Sequence, residues 1–462
     1  MYKKIIWLLG GKWVASISSI LCLLVLMGYQ GSELLGQFVI GAFIVVYSDQ
    51  FFNDAIENYI LKLPSISRIE LNQIIIISLI LCTILVVPLA LFLSYIFFLI
   101  YSNNDILSLS LASIPILFFH AIGHSLRAYL IKTNRDKIVA LCQGFSAISA
   151  LLIIITFIFT GTDYNLFYVY QFLLYGLYLL TYIIAVGDYK NYFGVFTFPL
   201  IDWNYFRFQF FNVSLNIFTN RLDTFAIGAF LNIGDAGTYA FLKRLVQVVQ
   251  EFFGGTFDKV FLSLGFTNTE EDKNKVIYSQ ALLVLPIYTL LSIYGTSLIS
   301  LLYNEDTWKN LQYVLVILCG GGVFRALILI ERAGKLKVLA YKNLLTVRVI
   351  ELVLVIVSIV VAIFFMQVTL LVFANIFLLK NIIAYILTAN DDNKIHINLA
   401  YLSKILIKIS PIILGCLFIG FLSQQLNTWF MPNSILSYLL ISTLLLAIYI
   451  SIFFGITRLN KK

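Results

Sequence analysis

Long apolar runs separated by short polar breaks cover this chain from end to end. Read as helices of about 20 apolar residues, the length that crosses a bilayer, the runs fall at 12–30, 35–56, 74–100, 107–131, 138–160, 166–187 and 205–231. They continue at 237–262, 277–303, 311–332, 344–365, 369–389, 405–423 and 434–456. The pattern predicts an all-α, polytopic membrane protein with about fourteen transmembrane helices. Residues 1–10 carry two lysines, but no small-residue cleavage site follows. They read as the lead into the first span and not as a cleaved signal peptide.

Composition agrees. The 462 residues are 61% hydrophobic and only 12% charged, with a mean hydropathy of +0.95. Soluble chains are about 45–50% apolar and about 25% charged. A soluble globular protein, a disordered chain and a nucleic-acid partner are therefore excluded. The net charge of +8 then reads as a topology signal. With the N-terminus inside, the outward breaks hold Glu33, Asp105, Asp163, Asp235, Glu305 and Asp306 against one cation, Lys309. The inward breaks and ends collect the lysines and arginines from Lys3 and Lys4 to Lys461 and Lys462. By the positive-inside rule, both termini are expected to be cytoplasmic.

Trp7, Trp13, Trp203, Trp308 and Trp429 all fall at predicted span ends and read as interfacial anchors. Cys22, Cys82, Cys142, Cys319 and Cys416 lie singly inside spans, as small buried residues do. The outward breaks are short, which leaves no room for a folded external domain.

The breaks also carry an internal repeat. KTNRDKIVAL (132–141) aligns with RAGKLKVLAY (332–341), an offset of 200 residues. Gly36 and Phe38 align with Gly237 and Tyr239, and Pro88 with Pro286, at nearly the same offset. Spans one to six and seven to twelve thus read as two copies of one unit. Because six is even, they insert in parallel, as repeats of transporters do. The expected organisation is a lobe at 1–187, a cytoplasmic linker at 188–204, a second lobe at 205–389, and a connector with two further helices at 390–462. Substrate sites in such folds lie between the repeats near the midplane.

Ionisable residues inside spans cost about 2.5–3.5 kcal/mol on insertion scales and mark interiors or wet cavities. Span seven carries Asn212, Asn216, Thr219, Asn220 and Asp223 at helical spacing, with Arg221 beside them. Span eight carries Lys243, Gln247, Gln250, Glu251 and Asp258, flanked by Arg244. Span one adds Lys12, and span two adds Gln37, Asp49, Asp54 and Glu57. A hydrated cavity between the lobes would explain these stripes, with Arg221, Asp223, Lys243, Arg244, Gln247, Glu251, Asn216, Asn220, Lys12 and Asp49 as its candidate lining. Internal ion pairing is the competing explanation. Unit charges 4 Å apart gain about 4 kcal/mol at an effective dielectric of 20, so cations in a wet slot favour an anionic group such as a diphosphate.

Other polar residues read more plainly. His120 and His124 share a helical face; a metal site lacks an evident third ligand, a proton relay is an option, and hydrogen-bonded packing is the expectation. Arg127, Arg325 and Arg332 are expected to snorkel to the headgroups. Arg348 and Glu351, three apart, are expected to pair. Gly320–Gly322, Pro88, Pro115, Pro286 and Pro411 suggest kinks or hinges. No P-loop, catalytic dyad or triad is present. The expectation is a transporter and not an enzyme, without a cofactor, drawing on a proton or sodium gradient, its cargo gradient or downstream steps.

The stretch RLDTFAIGAFLNIGDAGTYAFLKRL (221–245) resembles the multidrug/oligosaccharidyl-lipid/polysaccharide flippase superfamily, within it the O-antigen or capsule repeat-unit flippases. The matching positions are Arg221, Asp223, Ile227–Gly228 and Gly237–Tyr239, with echoes in GQF (36–38) and NRDK (134–137). The resemblance implies export of an undecaprenyl-diphosphate-linked oligosaccharide through a V-shaped alternating-access cavity, lined by spans one, two, seven and eight. It also implies a partner in the polysaccharide polymerase machinery. Alternatives are an ion-coupled multidrug or cation antiporter of the same superfamily, a peptidoglycan-precursor flippase and, from another class, a membrane glycosyltransferase or polymerase.

Overall fold

The computed structural model describes residues 2–63, 65–161, 164–187, 203–263, 284–297, 299–300, 308, 311–337, 341–365 and 367–389. Every regular element among them is helical. A helix pairs its own backbone groups, which is what a lipid environment demands. The helices are α1 (Tyr2–Gly41), α2 (Phe43–Phe52), α3 (Asn58–Lys62), α4 (Arg68–Leu81), α5 (Val87–Tyr101), α6 (Asn104–Ala112), α7 (Ile114–Lys132), α8 (Asp136–Thr160) and α9 (Leu166–Val186). Then follow α10 (Trp203–Phe230), α11 (Ile233–Ser263), α12 (Val284–Ser297), α13 (Gln312–Lys337), α14 (Tyr341–Phe365) and α15 (Leu370–Ala389). Among the described residues, seven helical stretches are long and apolar enough to cross a membrane. The chain is a multi-pass membrane protein. The helices α10 and α11 are 28 and 31 residues long, but they are not among the seven because their polar stripes dilute the apolar signal.

Local chemistry sets the helix ends. Ser67 and Glu70 form a reciprocal capping box at the start of α4. Asn103 and Asn165 cap α6 and α9 through their side-chain oxygens. The break predicted between the first two spans is a kink: α1 runs from Tyr2 to Gly41 and bends at Gly31, where φ is +82°. That conformation suits glycine. A π-helical turn, Asn53–Glu57, joins α2 to α3, and a second, Cys82–Val86, precedes Pro88. Pro88 lacks an N–H, so the hydrogen-bond ladder must shift there.

Contacts divide the chain into two compact units, Met1–Phe241 with Arg348–Val368 and Leu242–Val347 with Thr369–Lys462. The first includes α10, which the repeat assigns to the second lobe. Predicted linker residues 188–202, spans thirteen and fourteen, and residues 264–283 and 301–307, which include both ends of predicted span nine, lie outside the described residues.

In the first unit, α1 packs along α8, and α7 packs on α2, α4 and α9. Aromatic rings fasten α2, α5 and α10 together: Phe43 lies 5.0 Å from Phe225 and 6.0 Å from Phe97, and Phe97 lies 4.9 Å from Phe225. The repeat-related glycines meet here. A Cβ on Gly36 would overlap the carbonyl of Ile233, and one on Gly237 would overlap the carbonyl of Ser32. Four of the five cysteines are described and are buried thiols, and Arg348 Nη1 lies 2.9 Å from Glu351 Oε2, both as the sequence predicts.

In the second unit, α13 packs on α15. A Cβ on Gly321 would meet Phe377 at 2.6 Å, and one on Gly322 would meet Val246 at 2.6 Å. Tyr288 donates to the Val246 carbonyl at 2.9 Å, and Gln250 donates to the Gly322 carbonyl at 3.3 Å. The glycine run expected to be a hinge is therefore a close-packing surface inside a continuous helix. Trp308, expected at the interface, is buried at 5% exposure.

The glycine contact between α1 and α11 gives a test. In a cysteine-free background, Gly36→Ala or Gly237→Ala should push these helices apart and raise maleimide labelling of a Ser32→Cys reporter several-fold. Unchanged labelling would contradict the close approach.

Candidate functional site

Three polar constellations lie within the described helices. The first joins α2, the π-turn after it and α7. His120, His124 and Arg127 follow at intervals of four and three on α7, which stacks them on one face. On the opposing rod, Asp49 and Glu57 are eight apart. In a regular helix that spacing would turn Glu57 away by about 80°. The extra residue of the π-turn cancels one position, so the pair behaves as two full turns apart and both carboxylates face α7.

The result is a chain of charge contacts. His124 Nε2 lies 3.0 Å from Asp49 Oδ1, and His124 Nδ1 lies 3.1 Å from Glu57 Oε2. Arg127 Nη1 lies 3.3 Å from the same Glu57 oxygen. Ser48 Oγ lies 2.6 Å from His120 Nδ1, and the His120 ring stands edge-on to Tyr175 at 4.1 Å. The Glu57 side chain is 1% exposed and that of Asp49 is 37% exposed, so the cluster runs from a sealed end to an open one. Beside it lies a cavity of about 60 Å³ whose walls include Asp49, His120, His124, Arg127, Gln143 and Tyr175. Arg127, expected to snorkel, is turned inward because a buried carboxylate needs a cationic partner. Among the described residues, no group of three or more His, Cys, Asp or Glu is arranged to hold a metal ion.

The second constellation is the stripe on α10. Asn216 donates to Gln50 Oε1 at 3.3 Å, and Asn220 donates to Asn216 Oδ1 at 3.0 Å. Tyr47 and Ser214 share a hydrogen bond of 3.0 Å. Asp223 accepts from the Thr224 N–H at 2.8 Å and from the Tyr239 hydroxyl at 3.0 Å. The stripe thus links α10 to α2 and to the start of α11. Arg221, beside it, is partly buried.

The third is on α11. Lys243 is buried, with Nζ 5.0 Å from the Phe377 ring, and Lys380 Nζ lies 5.0 Å from the same ring. Arg244 and Gln247 are partly buried, as is Lys12 on α1. The Glu251 side chain lies outside the described residues. Of the predicted residues, the structure therefore brings Asn216 to Asn220, and places Asp49 with His124. The importance of Glu57 and Arg127 was not apparent from their neighbours in sequence. The matching signal is the spacing H-x3-H-x2-R in one span, facing two acids in another.

No family model and no curated protein matches the chain. Solved structures do match in fold. The lipid II flippase MurJ in an inward closed conformation aligns with a TM-score of 0.68 at 16% identity, covering 96% of this chain and 98% of that one. A MOP superfamily transporter from Pyrococcus furiosus, described as having a binding pocket of reverse polarity, aligns at 0.57 with 12% identity, covering 88% and 96%. An inward-facing MATE multidrug resistance transporter of the same superfamily aligns at 0.53 with 13% identity, over the same shares.

Removing one partner of a buried ion pair costs about 3–5 kcal/mol. Glu57→Ala should therefore sharply lower the melting temperature of the solubilised protein, and Arg127→Leu added to it should restore part of the loss. Additive losses in the double-mutant cycle would contradict a direct Glu57–Arg127 coupling. The polar clusters thus sit in an all-helical membrane protein with the fold of the MOP-superfamily transporters, MurJ and the MATE proteins among them.

Proposed function

We propose that this protein is a flippase that carries a diphosphate-linked lipid oligosaccharide from the inner to the outer leaflet of a bacterial cytoplasmic membrane. The observation that carries this reading is the run of cations on two helices consecutive in the chain, Arg221 on α10 and Lys243 and Arg244 on α11. A diphosphate offers several acceptor oxygens to such cations, and a cationic drug would be repelled by them. The likeness in fold to MurJ, whose name gives lipid II as its cargo, supports a lipid-linked substrate. In this reading side-chain amides such as those of Asn216 and Asn220 match the hydroxyl groups of the sugar. The transport cycle would be alternating access between two six-helix lobes, at 1–187 and 205–389. The cargo is a surface-polysaccharide repeat unit such as O-antigen, handed on to a polymerase, and both termini face the cytoplasm.

A second reading, a cation antiporter, draws on the likeness in fold to the MATE transporters and on the partly exposed Asp49 carboxylate.

Deleting the gene and analysing lipids separates the two. The flippase reading expects lipid-linked oligosaccharide to accumulate on the cytoplasmic side and the surface glycan to fall. Drug sensitivity with a normal surface glycan would favour the antiporter. The double variant Lys243→Ala/Arg244→Ala should insert normally and fail to export glycan; unchanged export would remove the cationic path from the account.

A further inference from the structure

We propose that His124, held between Asp49 and Glu57, is the site at which this protein binds and releases a single proton. This deepens the transport reading by naming where a driving ion would bind, and its geometry lies entirely within the first unit.

Hydrogen-bond bookkeeping carries the inference. A neutral imidazole has one N–H and one bare nitrogen. Both nitrogens of His124 face carboxylate oxygens, at 3.0 and 3.1 Å. A bare nitrogen against a carboxylate would set two acceptors in contact. Two hydrogens on His124 satisfy both contacts. Among the direct contacts, the two carboxylates Asp49 and Glu57 then face two cations, His124 and Arg127. Loss of the Nε2 proton leaves the Asp49 carboxylate facing a bare nitrogen, two acceptors in contact, while Glu57 keeps Arg127. Charging and discharging this site thus has a structural consequence.

Every element packed around His124 bears on this balance. His120 and Arg127 lie on its own helix, Asp49 on α2, and Asp54 and Glu57 on the π-turn. From α9 come Tyr175, Tyr178 and Tyr182, and from α8 the uncharged Gln143. Ser125, next to His124, shares a hydrogen bond with Ser78 of α4. Arg348 of α14 lies within electrostatic reach of Asp54.

A route for the proton is built in. Ser48 Oγ donates to the Val45 carbonyl at 3.0 Å, so it accepts from His120 Nδ1–H. His120 Nε2 is then a bare acceptor. It is buried without a hydrogen-bond partner, borders the cavity and lies 3.9 Å from Asp49 Oδ1. About 10–15 Å³ of such space holds one water, so the cavity of about 60 Å³ accommodates a short chain of them. In release, the His124 Nε2–H bond breaks and the proton passes to Asp49, whose side chain is 37% exposed. Asp49 hands it to water, and no other bond changes.

The chain has three histidines, so nitrogen-15 histidine labelling yields three imidazole signals, His120, His124 and His396. The set missing in His124→Gln identifies the site, and the spectra need no cargo, so failure of the flippase reading and failure of this one are distinguishable. At pH 7 the wild-type His124 should carry hydrogen on both nitrogens, and alkaline titration should remove one. Asp49→Asn and Glu57→Gln keep an acceptor oxygen but no charge, and each should leave a single hydrogen on His124 at pH 7. One bare His124 nitrogen in the wild type at pH 7, two hydrogens that persist through the titration, or two hydrogens retained in both variants would each overturn the proposal.

Discussion

A charge buried in a membrane-spanning helix must find its opposite within a few ångströms, and the first unit is arranged around that demand. Glu57 is sealed from solvent. Its carboxylate is stabilised by His124 and Arg127, which both reach it. That pairing sets the register of α7 against the α2 rod to within one residue. A regular helical turn in place of the π-turn would swing Glu57 away and strand both cations. The irregular backbone and the charge pattern thus fit one another.

Close packing supplies what charge pairing cannot. Lipid tails are as apolar as leucine, so helices in a bilayer associate through fitted contacts and polar links. Here the fit comes from glycines that admit a carbonyl or a ring, as Gly36, Gly237, Gly321 and Gly322 do. Phe43, Phe97 and Phe225 then lock α2, α5 and α10. The polar ladder from Gln50 through Asn216 to Asn220 runs beside these rings. Large hydrophobics such as Ile84, Phe159 and Phe365 face outward, as lipid requires.

Much of the fold was legible because hydropathy is a one-dimensional record of membrane depth. The apolar runs that predict spans three to six correspond to α4 with α5, α6 with α7, α8 and α9. The Arg348–Glu351 pair was legible because it lies within one helix. Contacts between helices were less so. Arg127 looks like a snorkelling residue until Glu57 is placed across from it, and Gly320–Gly322 looks like a hinge until Phe377 and Tyr288 are seen against it. Trp308 follows the anchor pattern by position, yet tertiary packing buries it. Helix-to-helix registry depends on rotation about each axis. A π-turn changes that rotation without any signature in the apolar pattern.

In the proposed transport, cations in spans seven and eight serve an anionic, lipid-linked cargo. Leaflet exchange in vesicles reconstituted with the full chain tests it most directly. A fluorescent polyprenyl-diphosphate oligosaccharide is placed in one leaflet, and its arrival in the other is read with an impermeant quencher. The account predicts exchange several-fold faster than in protein-free vesicles, lost in the Lys243→Ala/Arg244→Ala variant, with no uptake of a cationic dye. Exchange no faster than the protein-free rate, with the dye transported instead, would contradict it.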